Sequence, residues 1–161
     1  MREEMMNRVA EAVMEKFEQK EALKKAVGHY ERLTEIDRVQ AVIQIVVTGE
    51  DIDDIMAGAL EGGISYWCNR AEVVGDYLGK YASEQISRGG RLLLYDIEED
   101  ESYMLDKEKV LKGLKMYIEN PHPYEILNEI DNDLRVDTGN ADATVCDMII
   151  QYALFDDVIY G

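Results

Sequence analysis

The chain has 161 residues, of which 47% are hydrophobic, and carries a formal net charge of −17. That length suits one domain, able to bury roughly 70% of the surface its unfolded form would expose, so neither disorder nor a need for disulfide or metal staples is expected. No apolar run approaches the ~20 residues of a membrane-crossing helix, which excludes an ordinary membrane span.

Arg2 to Val27 holds neither Gly nor Pro, and Met6, Val9, Val13, Phe17, Leu23 and Val27 recur mostly three or four residues apart. The pattern predicts a long amphipathic helix over residues 1–27, ended by Gly28, that packs on its own domain or serves as a dimerising arm. Thr34 and Asp37 resemble a helix cap. Ile36, Val39, Val42, Ile43, Val46 and Val47 then predict a second helix, although the β-branched run 42–47 also reads as a strand.

Thr48 or Asp51 starts the next helix, with Ile52, Ile55, Met56, Ala59 and Leu60 on one face and acids against its N-terminus. Gly62-Gly63 interrupts it where side chains are expected to be unwelcome, and Tyr66 and the single tryptophan, Trp67, follow. Val73, Val74, Tyr77, Leu78, Tyr81 and Ile86 predict a helix stopped by Gly89-Gly90. Arg91 to Ile97 and Ser102 to Leu105 predict a hairpin with Glu98–Glu101 as its tip. Asp106 caps a helix over 107–119, and Pro121 and Pro123 break it before a short helix from Tyr124 to about Asp133. Asp137–Asn140 reads as a turn. A mostly buried final helix follows, and the tail Val158-Ile159-Tyr160 docks on the core. The expected architecture is α+β, a predominantly helical single domain with one small antiparallel β-hairpin at about 91–105.

The charge is placed unevenly. Residues 1–48 hold eight Lys or Arg against nine acids, whereas residues 49–161 hold nine against twenty-five. Such a field repels nucleic acid and anionic membrane and attracts basic protein surfaces, including the Lys- and Arg-lined channels that hold nucleic acid; it also serves solubility alone. Asp96, Glu98, Glu99, Asp100 and Glu101 crowd one turn and are the candidate partner-binding residues.

Little catalytic chemistry is legible. His29 and His122 lack a second His or Cys at ligand spacing, and Asp131, Asp133 and Asp137 fail as a calcium loop because Arg135 stands where a ligand belongs. Neither Gly-Gly pair forms a phosphate loop. Cys68 and Cys146 have no Cys-x-x-Cys partner and read as reduced, partly buried thiols. No metal, cofactor or catalytic residue is expected. Glu61, Gly62, Gly63, Tyr66 and Trp67 form a second candidate, a ligand pocket or a structural motif. The opening Met-Arg-Glu-Glu-Met-Met-Asn-Arg lacks the apolar core of a secretory signal, so a cytoplasmic protein is expected.

The run Ala59-Leu60-Glu61-Gly62-Gly63-Ile64-Ser65-Tyr66-Trp67-Cys68, the ending with Ala141-Asp142, Gln151–Phe155 and Tyr160-Gly161, and Tyr103-Met104-Leu105 leading to Lys112-Gly113 resemble a group of small acidic proteins. These are carried by phages, prophages and mobile elements, chiefly of Firmicutes, and most have no assigned function. Some acidic proteins of that setting are anti-CRISPR inhibitors that block the nucleic-acid channel of an RNA-guided nuclease. The resemblance implies a non-enzymatic inhibitor of a host nucleic-acid-binding enzyme. A small-molecule-sequestering protein with a pocket near Gly62–Trp67 and an assembly protein dimerising through its N-terminal helix are the alternatives.

Overall fold

The computed structural model describes residues 2–34, 38–120 and 125–161. The chain divides into two compact units, Met1–Val42 and Ile43–Gly161. Its class is α+β, 49% helical, with antiparallel sheets of three and two strands, so the β content exceeds the single expected hairpin. Among the described residues no helix is long and apolar enough to cross a membrane.

The first unit is dominated by helix α1, Arg2–Thr34. It continues through Gly28, where a stop was expected; an interior glycine costs a helix about 1 kcal/mol, which thirty-two other helical residues outweigh. Its apolar stripe faces solvent, Met6, Val9, Val13, Phe17 and Leu23 all being exposed.

Residues 38–47 contain no helix, contrary to expectation. Val39 and Val42 are 92% and 98% exposed, so the supposed helical face does not exist. Ile45 and Val47 pack on the core of the second unit while Val46, between them, donates its N–H to the Leu134 carbonyl at 2.8 Å. This is the two-residue alternation of an extended chain, which β-branched side chains favour. Ile36 and Asp37 lie outside the described residues.

In the second unit, helix α2 (Gly49–Gly58) begins with a reciprocal cap: the Asp51 N–H donates to Thr48 Oγ1 at 3.1 Å and the Thr48 N–H to Asp51 Oδ2 at 2.7 Å. Ile52, Ile55 and Met56 point into the core as their spacing predicts. The helix then widens into a π-turn, Ala59–Gly63, closed by the Ile64 N–H on the Ala59 carbonyl at 3.0 Å.

Strand β1 (Cys68–Val74) replaces the beginning of an expected helix. Tyr77, Leu78 and Tyr81, which supplied its helical spacing, are exposed and form no face; of that pattern Ile86 is buried and Val73, now in the strand, packs against the core. Gly75, at φ +83°, turns the chain out of the strand with a backbone that side chains disfavour. β1 pairs with β2 (Arg91–Asp96), and β2 with β3 (Ser102–Leu105), the hairpin placed as expected.

Asp106 caps helix α3 (Lys107–Glu119), its carboxylate accepting from the Lys109 N–H at 2.9 Å. The short helix expected before Asp133 is instead a second hairpin, β4 (Leu127–Ile130) with β5 (Asp133–Val136). Its two-residue turn, Asp131-Asn132, has both φ values positive, at 53° and 66°, a geometry that Asp and Asn tolerate. Pro121, His122, Pro123 and Tyr124 lie outside the described residues.

Helix α4 (Ala143–Phe155) is the buried final helix. It packs on α3 at Gly113, where a β-carbon would strike the Ile149 carbonyl oxygen and the Ala153 backbone, and on the π-turn at Gly63. The two glycines of the π-turn differ. A β-carbon on Gly63 would lie 2.5 Å from the Ala143 carbonyl oxygen, whereas one on Gly62 would meet nothing within 4 Å, so only Gly63 excludes a side chain. Gly63→Ala is therefore expected to cost about 2 kcal/mol in urea unfolding followed by Trp67 emission, while Gly62→Ala is neutral or stabilises by about 0.5 kcal/mol. Equal losses in the two variants would contradict this packing.

Candidate functional site

The candidate site is built where the π-turn, the end of the β2–β3 sheet, α4 and the C-terminal tail meet. Trp67 lies at its centre, 2% exposed, with its indole stacked on Tyr160 (centroids 5.1 Å apart, planes within 4°) and Phe155 edge-on at 5.8 Å. Tyr103 from β3 meets Phe155 edge-on at 4.9 Å.

A buried carboxylate holds this aromatic group in place. Asp147, on the face of α4 turned toward Trp67, is 5% exposed and accepts three side-chain hydrogen bonds: from Trp67 Nε1 at 2.7 Å, Tyr66 Oη at 2.7 Å and Gln151 Nε2 at 2.8 Å. A buried charge is tolerated when its lone pairs are taken up in this way. Gln151, one turn further on, is fully buried; its carbonyl oxygen accepts from the N–H groups of Ile159 and Tyr160 at 2.9 and 2.8 Å. Its amide nitrogen also lies 3.1 Å from Tyr66 Oη and 3.2 Å from the Tyr160 carbonyl. Two polar side chains four residues apart thus join the π-turn exit to the tail.

Tyr160 extends this network to the acidic turn. Its hydroxyl donates to Asp96 Oδ2, and Asp96 Oδ1 accepts the N–H groups of Glu98 and Glu99 at 2.8 and 3.2 Å. Asp96, expected among the partner-binding acids, is thus 5% exposed and spent inside the fold, where it fixes the turn. Glu98, Glu99, Asp100 and Glu101 are exposed. Beside them lies a shallow recess of about 420 Å³ lined by Asn69, Arg70, Tyr95, Asp96 and the last three acids of the turn. Arg70 covers the Tyr95 ring at 3.9 Å and is, among the described residues, the one cation in the recess lining.

The second candidate group is split. Gly62, Gly63 and Tyr66 line a cleft of about 410 Å³ with Thr144, Asp147, Met148, Val158 and Tyr160. Glu61 is exposed outside that lining, and Trp67 lies buried beyond it. Asp147 and Gln151 were missed by sequence reading. Their signal was a carboxylate and an amide inside an otherwise apolar helix, residue types rarely buried without partners.

The titrating groups follow this geometry. Burial, then the bond to Asp147, raises the Tyr66 phenol to about 12. The Asp96 bond, ahead of burial, pushes Tyr160 well above the usual tyrosine range, and the same bond, with the two turn N–H groups, holds Asp96 below the usual carboxylate range. Burial raises Cys68 and takes Cys146 to about 11, so both free thiols stay protonated and unreactive near neutrality.

No protein-family model, curated protein or solved structure matches this chain. Tyr66, Trp67, Tyr103, Gln151, Phe155 and Tyr160, far apart in the sequence, meet in this one cluster.

Asp147→Ala strands the Trp67 and Gln151 donors in the core and is expected to cost about 3 kcal/mol, read by denaturant unfolding, with a red shift of Trp67 emission. A loss under about 0.5 kcal/mol, the range of an ordinary surface change, would contradict the role given to this carboxylate. Tyr66 sets an alkaline limit. An unfolded tyrosine ionises near 10, so the stability this neutral phenol contributes is complete below that pH and disappears as the pH rises toward about 12. Tyr66→Phe should flatten that part of the stability profile and remove one phenol titrating near pH 12 from a spectrophotometric titration.

Proposed function

We propose that residues 43–161 form a non-enzymatic binding module that engages a basic protein surface through the turn Glu98–Glu101. The observation that carries this reading is the division of labour within the acidic run. Asp96 is consumed in fixing the turn through Tyr160 and two backbone N–H groups, and the exposed acids that follow are presented by a braced backbone rather than a loose one. A preorganised charge cluster loses less entropy on binding and steers a basic partner from a distance.

The wider charge distribution supports it: twenty-five acids against nine bases after residue 48. Many of those acids are spent locally, as caps (Asp51, Asp106, Asp142) or in ion pairs such as Asp156 with Lys112 at 2.6 Å. The turn sets four exposed acids, Glu98 to Glu101, in consecutive positions. The non-enzymatic reading rests on the reactive groups being already engaged, the buried carboxylate by three donors and both thiols by burial. In the setting implied by the resemblance, a phage or mobile-element protein in the host cytoplasm, the partner is a nucleic-acid-binding enzyme such as a defence nuclease. The acids would occupy its Lys- and Arg-lined channel in place of phosphates, an anti-CRISPR-like inhibition.

A second reading, a small-molecule-binding protein, is favoured by the cleft at Gly62, Gly63, Tyr66 and Asp147, whose volume of about 410 Å³ lies in the range of ligand sites. A ligand there would change Trp67 emission through Asp147 and raise the melting temperature.

Replacing Glu98, Glu99, Asp100 and Glu101 together by Lys, which costs the exposed Tyr103–Glu101 bond, should change unfolding by no more than about 1 kcal/mol and abolish capture of a nucleic-acid enzyme from host lysate. The unaltered protein should release that enzyme at high salt or on addition of competing DNA. Salt-independent capture, or full capture by the four-lysine variant, would overturn the proposal.

A further inference from the structure

We infer that the cleft beside Tyr66 and Asp147 takes a small organic monocation, a protonated amine with a short apolar body, an inference that rests on the small-molecule reading of that cleft. The space, of about 410 Å³, is lined from residues 62–161 alone and so belongs wholly to the second unit. Charge gives the first reason. Asp147 is buried and lines the cleft, and its three hydrogen-bond partners, Trp67, Tyr66 and Gln151, are all neutral. They take up lone pairs but leave the net charge of the carboxylate in place. Among the described residues Asp147 enters no ion pair, and the cleft lining holds no Lys, Arg or His. Away from bulk water such a charge is weakly screened, and it draws a cation more strongly than an exposed acid does.

Hydrogen-bonding capacity gives the second reason. A carboxylate has about four acceptor positions, and Asp147 uses one on Oδ1, for Trp67, and two on Oδ2, for Tyr66 and Gln151. The Tyr66 hydroxyl donates its proton to Asp147 and accepts from Gln151, which leaves it one lone pair. The Tyr160 hydroxyl proton is committed to Asp96. Both tyrosines of the lining therefore offer acceptors and no donor. The first turn of α4, which would otherwise draw an anion, is already capped by Asp142, whose carboxylate accepts from the Val145 N–H at 2.9 Å. An anionic ligand would find one side-chain donor, the Thr144 hydroxyl, whereas an ammonium group brings the donors that these acceptors lack. Met148, Val158 and the rings of Tyr66 and Tyr160 border the same space, so the ligand's carbon skeleton meets apolar surface beside its charged end, and aromatic rings themselves favour a cation.

Benzylammonium is the probe, with benzyl alcohol and benzoate as its neutral and anionic counterparts. Each is titrated against the full chain while NMR follows the Trp67 indole N–H, which donates to Asp147 and so reports on the carboxylate. Benzylammonium should shift that signal saturably and bind at least about tenfold more tightly than the alcohol, and benzoate should not bind. Thr144→Lys sets a tethered ammonium at an exposed position of the lining and should weaken the probe by a similar factor without moving the denaturant midpoint. Replacing Glu98–Glu101 by lysine should leave probe binding as it is, which separates the cleft from the acidic turn. Alcohol or benzoate binding as tight as that of the amine, or full binding by Thr144→Lys, would overturn the choice of a cation while leaving a small-molecule site. Loss of binding in the lysine-turn variant would move the cation to the turn and also overturn the inference. No saturable shift from any of the three compounds would overturn it together with the small-molecule reading.

Discussion

The second unit depends on one buried carboxylate. Asp147 sits in an apolar helix, where an unpartnered charge would be too costly to keep, and it is tolerated because Trp67, Tyr66 and Gln151 each donate to it. Those bonds fix the indole, the indole fixes the ring of Tyr160 by stacking, and Gln151 fixes the Tyr160 backbone. The chain of dependence ends at Asp96, whose carboxylate orders the acidic turn. A group far from the surface thus governs how surface charge is displayed.

The same arrangement explains how so acidic a unit stays folded. Like charges repel within a compact body, and several of the acids are given hydrogen-bond donors or cations. Asp96 takes two backbone N–H groups and a phenol, Glu101 accepts from Tyr103, and Glu72 accepts from Tyr95 while lying 3.3 Å from Arg70. Glu98, Glu99 and Asp100 stand on the turn with their side chains toward solvent, where hydration screens them and where a basic partner would find them.

Much of the fold was legible because local chemistry agreed with the tertiary structure. Thr48 with Asp51 and Asp106 announced two helix starts, and Gly89-Gly90 with the acidic tip bounded the first hairpin. Two of the errors share one physical origin. Around Val73 to Tyr81 and Val39 to Val47, apolar residues fell at helical spacing by chance, while the side chains that set the spacing, Tyr77, Leu78, Tyr81, Val39 and Val42, are exposed. Periodicity without burial carries no packing energy; strand pairing took the first segment as far as Val74, and in the second Val46 is held by one backbone bond to Leu134. Asp131-Asn132 did carry a hairpin signal, which the helical reading of its flanks obscured. Within the candidate site the tryptophan and double glycine stood out. Asp147 and Gln151 did not, because their significance depends on partners some eighty residues earlier and at the tail.

The hydrogen exchange of the Trp67 indole N–H, followed by NMR under native conditions, tests this dependence most directly. The proton is donated to Asp147 inside the core, so the account predicts exchange only through global unfolding, with an opening free energy equal to that from denaturant. Rapid exchange, with the backbone amides of α4 still protected, would show that the indole and its carboxylate open independently of the fold, and the proposed brace on the acidic turn would fail with them.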